Sequence, residues 1–213
     1  MNQRATNLGE LRIETIEANN SHSVIEYPLS LSTQAAQKLF EQQYTRVRNH
    51  LYHLTVATPN RAPGDDAVKL IVDMIDQDVD SLEKGMIREI DRVDIVCDKN
   101  GIAARARGTK PISYSVEVDS PRARRYLEVL SSLDSVLLQL QTLYLMGIVK
   151  DQENTSTTRR WTGATRKFRA RLEDWVVRYA RYEKQGIHPL SDMKVVPLKV
   201  AEPNDLSEGN SHA

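Results

Sequence analysis

The spacing of hydrophobic residues along the chain predicts short strands and long amphipathic helices. Over residues 24–31, apolar and polar side chains alternate, which is typical of a half-buried strand, and Pro28 favours the edge of a sheet. Apolar residues then recur at intervals of three and four, which predicts helices over about 34–55 and from 66 to about 90. A loop rich in proline and glycine separates the two helices.

The segment after the second helix has the pattern of a β-hairpin. An Asn-Gly pair at 100–101, preceded by β-branched residues, is a strong short-range hairpin signal. Strands are therefore predicted at about 92–97 and 102–107. Arg105 and Arg107 are two residues apart and would share one face of the second of these strands.

The second half of the chain repeats the order of strand and helix. Residues 112–118 alternate again and are predicted to form a strand. Pro121 suits the first position of the helix that follows, and Gly147 suits the position just past its end. After a polar loop, a last helix is predicted over about 158–185.

Two of these strand-to-helix segments align without a gap. Residues 25–40 and 112–127 share an isoleucine, a tyrosine two positions later, two alternating aliphatic residues and a pair of capping residues. Any strand-to-helix junction favours such a pattern, so chance similarity is an equal alternative. If the repeat is real, an approximate twofold relates the two strands, either within one chain or across a dimer.

The predicted fold class is α+β, with long helices packed on a small antiparallel sheet in a single domain over residues 24–186. Flexible segments are expected at 1–23, which is mostly polar, and at 187–213, where prolines recur without an apolar pattern. No apolar run approaches the roughly 18 residues of a membrane span, and the first residues lack the apolar block of a secretory signal. A cytoplasmic protein without a membrane partner is expected.

The residue types that carry catalysis or bind metals form no recognisable constellation in the sequence. The single cysteine, Cys97, excludes an intramolecular disulfide and a cysteine-based zinc site. Among five histidines only His50 and His53 are close, and no third ligand accompanies them. Phosphate-binding glycine loops and nucleophile motifs are missing. We therefore expect a protein that is not an enzyme and that has no metal, cofactor or small-molecule substrate.

Charge is segregated along the chain although the net charge is zero. Residues 64–100 hold eleven acidic and five basic side chains, whereas residues 101–182 hold fifteen basic and eight acidic ones. One interpretation is an anion-binding face. The other is a pair of oppositely charged helices that neutralise each other.

A basic segment at 157–171 is the first candidate for contact with DNA. It contains no acidic residue, and arginine and lysine side chains bind phosphate through charge-assisted hydrogen bonds. The alternative is that its arginines extend along the protein surface and pair with the acidic helix. The candidate residues are Arg159, Arg160, Arg166, Lys167, Arg169 and Arg171.

The second candidate is the ribbon of strands that precedes the third predicted helix, which begins at Pro121. A two-stranded ribbon fits the major groove, and a strand followed by two helices is the order of a ribbon-helix-helix unit, in which the paired strands of a dimer read base edges. The strand at 112–118 directs serines and a glutamate outward instead of the basic residues common in such ribbons. The candidate DNA-binding residues here are Arg105, Arg107, Lys110, Ser113 and Ser115.

The order YPLSLST–QAAQKLF, followed later by a strand that leads into SPRARRYLEVLSSLDSVLLQLQTLYLMGIV, resembles the AcaB-type regulators and related integrating-conjugative-element proteins. The resemblance covers about residues 25–185 and includes Asp134 and Gly147. It implies a transcriptional activator of conjugative-transfer genes that binds duplex DNA sequence-specifically, as a homodimer with a ribbon-helix-helix-like fold. The alternative from another class is a helical structural or adaptor protein that docks a protein partner without binding DNA.

Overall fold

A computed structural model describes residues 23–189 and Leu198 and contains two strands and long helices. In the first half, β1 is Ile25–Leu31, α1 is Gln34–Tyr52, a π-helical turn covers His53–Ala57, α2 is Thr58–Arg61 and α3 is Asp66–Lys99. In the second half, β2 is Ile112–Val118, α4 is Pro121–Leu145 and α5 is Asp151–Gln185. The described helices include none that is long and apolar enough to cross a membrane. Most of the terminal segments predicted to be flexible, 1–23 and 187–213, lies outside the described residues.

The two strands pair with each other to form a two-stranded antiparallel sheet, which confirms the small antiparallel sheet of the predicted fold class. Pro28 of β1 faces Ser115 of β2 at the centre of the pair. These two residues occupy the same position in the repeat of 25–40 and 112–127. The strands of the repeat therefore pair within one chain, about a local twofold that passes between Pro28 and Ser115.

A helix cap follows each strand at the same position of the repeat. The Thr33 hydroxyl accepts a hydrogen bond from the Ala36 amide at 3.4 Å, and the Ser120 hydroxyl accepts one from the Ala123 amide at 3.1 Å. Each hydroxyl satisfies one of the amides that the first turn of a helix leaves unpaired. The capping residues and the first position of α4 at Pro121 are as the sequence predicts.

The hydrophobic core lies between the inner face of the strands and the helices. Alternate residues of the ribbon, including Leu31 and Val118, are buried against this core. Tyr126 of α4 stacks on Phe168 of α5, with ring centroids 5.6 Å apart. Because a two-stranded sheet is marginal alone in water, burial of its inner face against the helices is what makes the ribbon stable.

The predicted hairpin at 92–97 and 102–107 is wrong. Residues 92–97 belong to α3, and residues 102–107 form no regular structure. Val93 and Cys97, four residues apart, are both fully buried and extend the apolar stripe of α3 by two turns. The β-branched residues of this segment favoured a strand, but their spacing also fits a helix. Burial of Val93 and Cys97 in the core makes the segment helical.

The Asn-Gly pair ends a helix instead of turning a hairpin. Gly101 has φ of +65°, its amide donates to the Asp98 carbonyl at 3.1 Å, and the Ile102 amide donates to the Cys97 carbonyl at 2.9 Å. This is the Schellman arrangement, and the burial of Ile102 supplies its usual hydrophobic contact. Gly147, with φ of +73°, ends α4 in the same way, as the sequence predicts.

Two other helix boundaries differ from the sequence prediction. The helix that begins at α1 continues through the π turn as far as Arg61, although Pro59 favoured a loop there. The last helix begins at Asp151, seven residues before the predicted position. Its first turns bury Asn154 and Thr157, which are polar, so the hydrophobic pattern does not reveal them.

Asp134 of α4 holds the junction between β1 and α1. Its carboxylate accepts hydrogen bonds from the Ser32 amide at 2.8 Å and from the amide and hydroxyl of Thr33 at 2.7 and 2.6 Å. The side chain is almost fully buried. A charged acceptor at a helix N-terminus is also favoured by the helix dipole.

The junction between β2 and α4 is held from the opposite half of the chain. The Arg48 guanidinium of α1 lies 3.0 Å from the Asp119 carboxylate, and the Tyr44 hydroxyl donates to the Glu117 carbonyl at 2.7 Å. Burial raises the pKa of Tyr44, so this hydroxyl stays protonated and able to donate. The helix that follows each strand therefore secures the end of the other strand.

Replacement of Gly101 by alanine is expected to destabilise the protein by about 1 kcal/mol, because the left-handed conformation strains any side chain. The matched control is Gly163→Ala, which lies inside α5 with open space around its Cβ position and is expected to be neutral or stabilising by up to about 1 kcal/mol. Urea denaturation of both variants measures the two free energies of unfolding. Equal effects of the same sign would contradict the assigned helix ends.

Asp134→Ala is expected to lower the free energy of unfolding by about 2–4 kcal/mol, since it leaves buried donors of the β1–α1 junction unpaired. Ser135→Ala, on the next and exposed position of α4, is the control and is expected to change stability by less than about 0.5 kcal/mol. Urea denaturation of both variants measures their free energies of unfolding. An Asp134→Ala variant as stable as the control would show that the carboxylate does not secure the junction.

Candidate nucleic-acid interface

One face of the ribbon is exposed along its whole length. Every second residue of each strand points away from the core, and the three outward pairs are all exposed to solvent. The pairs are Glu26 with Glu117, Pro28 with Ser115, and Ser30 with Ser113.

Ser113 and Ser115 lie on this outward face, where the sequence places them. The Ser115 hydroxyl donates to a Glu26 carboxylate oxygen at 3.0 Å. Glu117 receives a hydrogen bond from the Arg48 guanidinium at 2.8 Å. Each glutamate is therefore held by a neighbour through one oxygen, and each stays exposed to solvent.

The correction to the predicted hairpin changes the position of Arg105 and Arg107. Neither residue lies on a strand, because residues 102–107 have no regular structure. The Arg105 guanidinium donates to the Ile102 carbonyl at 2.7 Å and lies 3.4 Å from Asp94 of α3. Arg107 is exposed. The two arginines therefore do not belong to the ribbon, and their contact with DNA stays a prediction.

Lys110 lies at one end of the ribbon, next to the start of α1. The Gln37 amide group of α1 donates to the Lys110 carbonyl and to the Leu31 carbonyl, each at 2.9 Å. A Cβ atom at Gly108 would lie only 2.5 Å from the Ser32 carbonyl oxygen, so glycine allows the chain to pass this junction closely. Lys110 is thus fixed through its backbone, and its side chain is exposed.

The basic segment at 157–171 is divided between the surface and the interior. Arg159, Arg166 and Lys167 are exposed, and their spacing of seven and eight residues puts them on one face of α5. They have no ion-pair partner within the described ranges. These three side chains are free to meet an anion.

The other three candidate residues of that segment, all arginines, have acidic partners. Arg160 contacts Glu89 of α3, whose side chain is fully buried, and its guanidinium lies 5.2 Å from the Trp161 ring centroid. Arg171 donates to Asp78 at 2.6 Å, and Arg169 lies 3.6 Å from Glu173. The alternative of arginines that pair with the acidic helix therefore accounts for Arg160 and Arg171.

Asp78 connects three parts of the chain. Its carboxylate accepts from Arg171 of α5 and, at 2.9 Å, from the backbone amide of Leu198, which is itself buried. Burial raises the pKa of Asp78, and the two hydrogen bonds oppose that shift because they stabilise the charged form. A buried carboxylate with two donors is a structural link, so Asp78 and Arg171 tie α3 to α5 and to the chain beyond α5.

The acidic face of α3 is also paired with the start of α4. Arg122 donates to Asp76 at 2.8 Å, and Arg125 contacts Asp80 at 2.6 Å and Glu83 at 2.5 Å. The hydrogen bond from Arg125 holds the pKa of Asp80 below its usual value. Much of the segregated charge is therefore neutralised between neighbouring helices.

The sequence left open whether the two strands of the repeat pair within one chain or across a dimer, and it therefore named only the β2 side of the outward face. The alignment of 25–40 with 112–127 held the necessary signal, because strands related by a twofold pair in antiparallel register. The bracing roles of Arg48 and Asp134 left no local signal, since their partners lie 69 to 102 residues away in sequence.

No protein-family model matches the sequence, and no curated protein is similar to it at a significant level. Among solved structures, the fold matches a crystal structure of selenomethionine-containing AcaB from uropathogenic E. coli, with a TM-score of 0.71. The match covers 81% of this chain and 90% of that one, at 20% sequence identity. The resemblance to AcaB-type proteins is thereby confirmed by the three-dimensional structure, and at this identity the similarity is one of fold.

Proposed function

We propose that this protein is a sequence-specific regulator of transcription that binds duplex DNA through the outward face of its β1–β2 ribbon. The observation that carries the proposal is the exposed two-stranded ribbon itself, which has the width of an element that enters the major groove. Apart from Pro28, its outward side chains are glutamates and serines, which can hydrogen-bond to base edges. Such a face suits bases better than phosphates.

The ends of the ribbon supply the groups that phosphates need. The N-termini of α1 and α4 follow the two strands directly, and the helix dipole favours an anion at such an end, although the Ser32 and Thr33 amides at α1 are already bound by Asp134. Lys110 adds an exposed positive charge beside the first of them. These groups would position the protein on the duplex while the ribbon contacts the bases.

The similarity of fold to AcaB supports a regulatory role. By analogy with the regulators that this sequence resembles, we propose that the protein activates conjugative-transfer genes and acts on DNA without catalysing a reaction. The predicted homodimer stays a prediction. One chain already holds a complete strand pair, so a dimer would bring two ribbons to the DNA and not one.

A second candidate function is that of an adaptor that docks a protein partner. It is favoured by a cluster of exposed apolar side chains around the end of α4, where Leu145 is 70% and Met146 50% exposed and Ile148 lies nearby in sequence. Exposed apolar clusters often mark protein-protein contacts. A regulator of transcription also contacts other proteins, so this surface is compatible with both functions.

The first test is fluorescence anisotropy of a labelled duplex from upstream of the protein's own operon, compared with a scrambled duplex at several salt concentrations. The proposal predicts that the logarithm of affinity falls linearly with the logarithm of salt concentration, with a preference of about a hundredfold or more for the native duplex. Absence of binding at low salt, together with stoichiometric recovery of a protein partner, would establish the adaptor instead.

Replacement of Lys110 by alanine is expected to weaken binding to both duplexes alike and to reduce the salt slope by about 1, because it removes one phosphate contact. The matched control is Lys84→Ala, an exposed lysine on the acidic side of α3 that pairs with Asp80. Its salt slope should equal that of the unaltered protein. If the two lysine variants behaved alike, the ribbon end would not contact phosphate.

A further inference from the structure

The local twofold of the ribbon relates backbone positions, but the outward side chains do not obey it. In the repeat, Glu26 corresponds to Ser113, and Ser30 corresponds to Glu117. The strand register places Glu26 opposite Glu117 and Ser30 opposite Ser113. One end of the ribbon therefore carries two carboxylates, which we call the carboxylate end, and the other carries two hydroxyls, which we call the hydroxyl end.

The two ends differ in hydrogen-bonding chemistry. An ionised carboxylate only accepts hydrogen bonds, whereas a hydroxyl both donates and accepts. In the major groove, the N4 amino group of cytosine is a donor that glutamate accepts from, whereas serine bonds to several base edges. The carboxylate end should therefore show a clear preference for C·G pairs. The hydroxyl end should show only a weak preference among base pairs.

The geometry of the carboxylate end favours this use of its oxygens. Like charges directly opposite on adjacent strands repel each other, and the structure holds each glutamate with one neighbour, Ser115 for Glu26 and Arg48 for Glu117. The side chain of Glu117 is 59% exposed, so it is available to a ligand. Amino groups on the floor of the groove would reduce the repulsion by adding donors.

The charged groups beside the ribbon also differ between the carboxylate end and the hydroxyl end. Lys110 precedes β2 at the hydroxyl end, where its backbone is bound to Gln37 of α1. At the carboxylate end, Arg48 is already paired with Glu117 and Asp119. The free positive charge and the negative pair therefore lie at opposite ends, which gives the ribbon one preferred direction along the duplex.

Building on the DNA-binding function proposed above, we propose that one chain recognises a non-palindromic DNA element, with Glu26 and Glu117 specifying cytosines on one side only. A ribbon formed by two identical chains must present the same side chains at both ends. This ribbon comes from a single chain, and its outward residues differ between the ends. The element should therefore bind in one orientation.

The test is selection of binding sites from a random duplex pool, followed by trimming to the shortest duplex that still binds one chain. The unaltered protein is expected to select an element that reads differently on its two strands, with C·G pairs at one side. In Glu26→Gln/Glu117→Gln the preference at that side should change toward adenine, which glutamine recognises, with roughly a tenfold loss of affinity for the original element. Preferences at the other side should stay unchanged.

A second variant makes the outward side chains of the two ends alike and leaves Lys110 in place, so it tests base preference alone. Glu26→Ser/Glu117→Ser gives the ribbon serines at both ends and should select an element with equal preferences at its two sides. Asp73→Asn, an exposed carboxylate of α3 outside the ribbon, is the control and should select the original element. All altered positions are exposed, so thermal unfolding should show that the variants remain folded.

The possible failures are distinguishable. If the unaltered protein selected a shortest element that is palindromic, or if the glutamine variant changed both sides or neither, the asymmetric recognition would be wrong while DNA binding by the ribbon remained. If no element were enriched and no duplex bound at low salt, the proposed function itself would be wrong.

Discussion

The pairing of β1 with β2 is the constraint on which the rest of the structure depends. The strands are separated by three helical segments and a π turn, and each has the other as its partner in a sheet of only two strands. Such a pair gains too little from its own hydrogen bonds to persist alone. Its stability must come from the helices, and Asp134 and Arg48 contribute to it, because each lies on the helix that follows one strand and binds the end of the other strand.

Ion pairs between neighbouring helices explain how a chain without net charge can carry strongly charged helices. The acidic face of α3 lies beside the arginines of α4 and α5, and these ion pairs range from half-exposed, as at Asp76, to fully buried, as at Glu89. Buried pairs stabilise less than their number suggests because both charges lose water, but loss of one partner leaves a buried charge and is costly. They therefore fix how the helices align.

The fold could be predicted from the sequence wherever a local pattern decides the structure. Alternation gave β2 its bounds, and the cap at Ser120 and the glycine at 147 gave the limits of α4. The prediction was wrong where one local signal has two uses. An Asn-Gly pair suits both a hairpin turn and a helix end, and the choice depends on whether Cys97 is buried against other helices, which its neighbours in sequence do not reveal.

Among the candidate site residues, the outward serines of β2 followed from alternation, whereas the partners of Arg160 and Arg171 depend on how helices distant in sequence pack.

A ribbon that is completed within one chain also changes how the fold assembles. When two chains must each supply a strand, the folded fraction depends on protein concentration, and related chains can exchange to form mixed pairs. Here β1 and β2 meet in a unimolecular step, so the strand pair forms equally well when only a few molecules are present. Covalent linkage also disfavours a strand from a related protein, because the chain's own strand is present at a much higher effective concentration. A cell can therefore hold several proteins of this fold at low copy number, and each keeps its own ribbon.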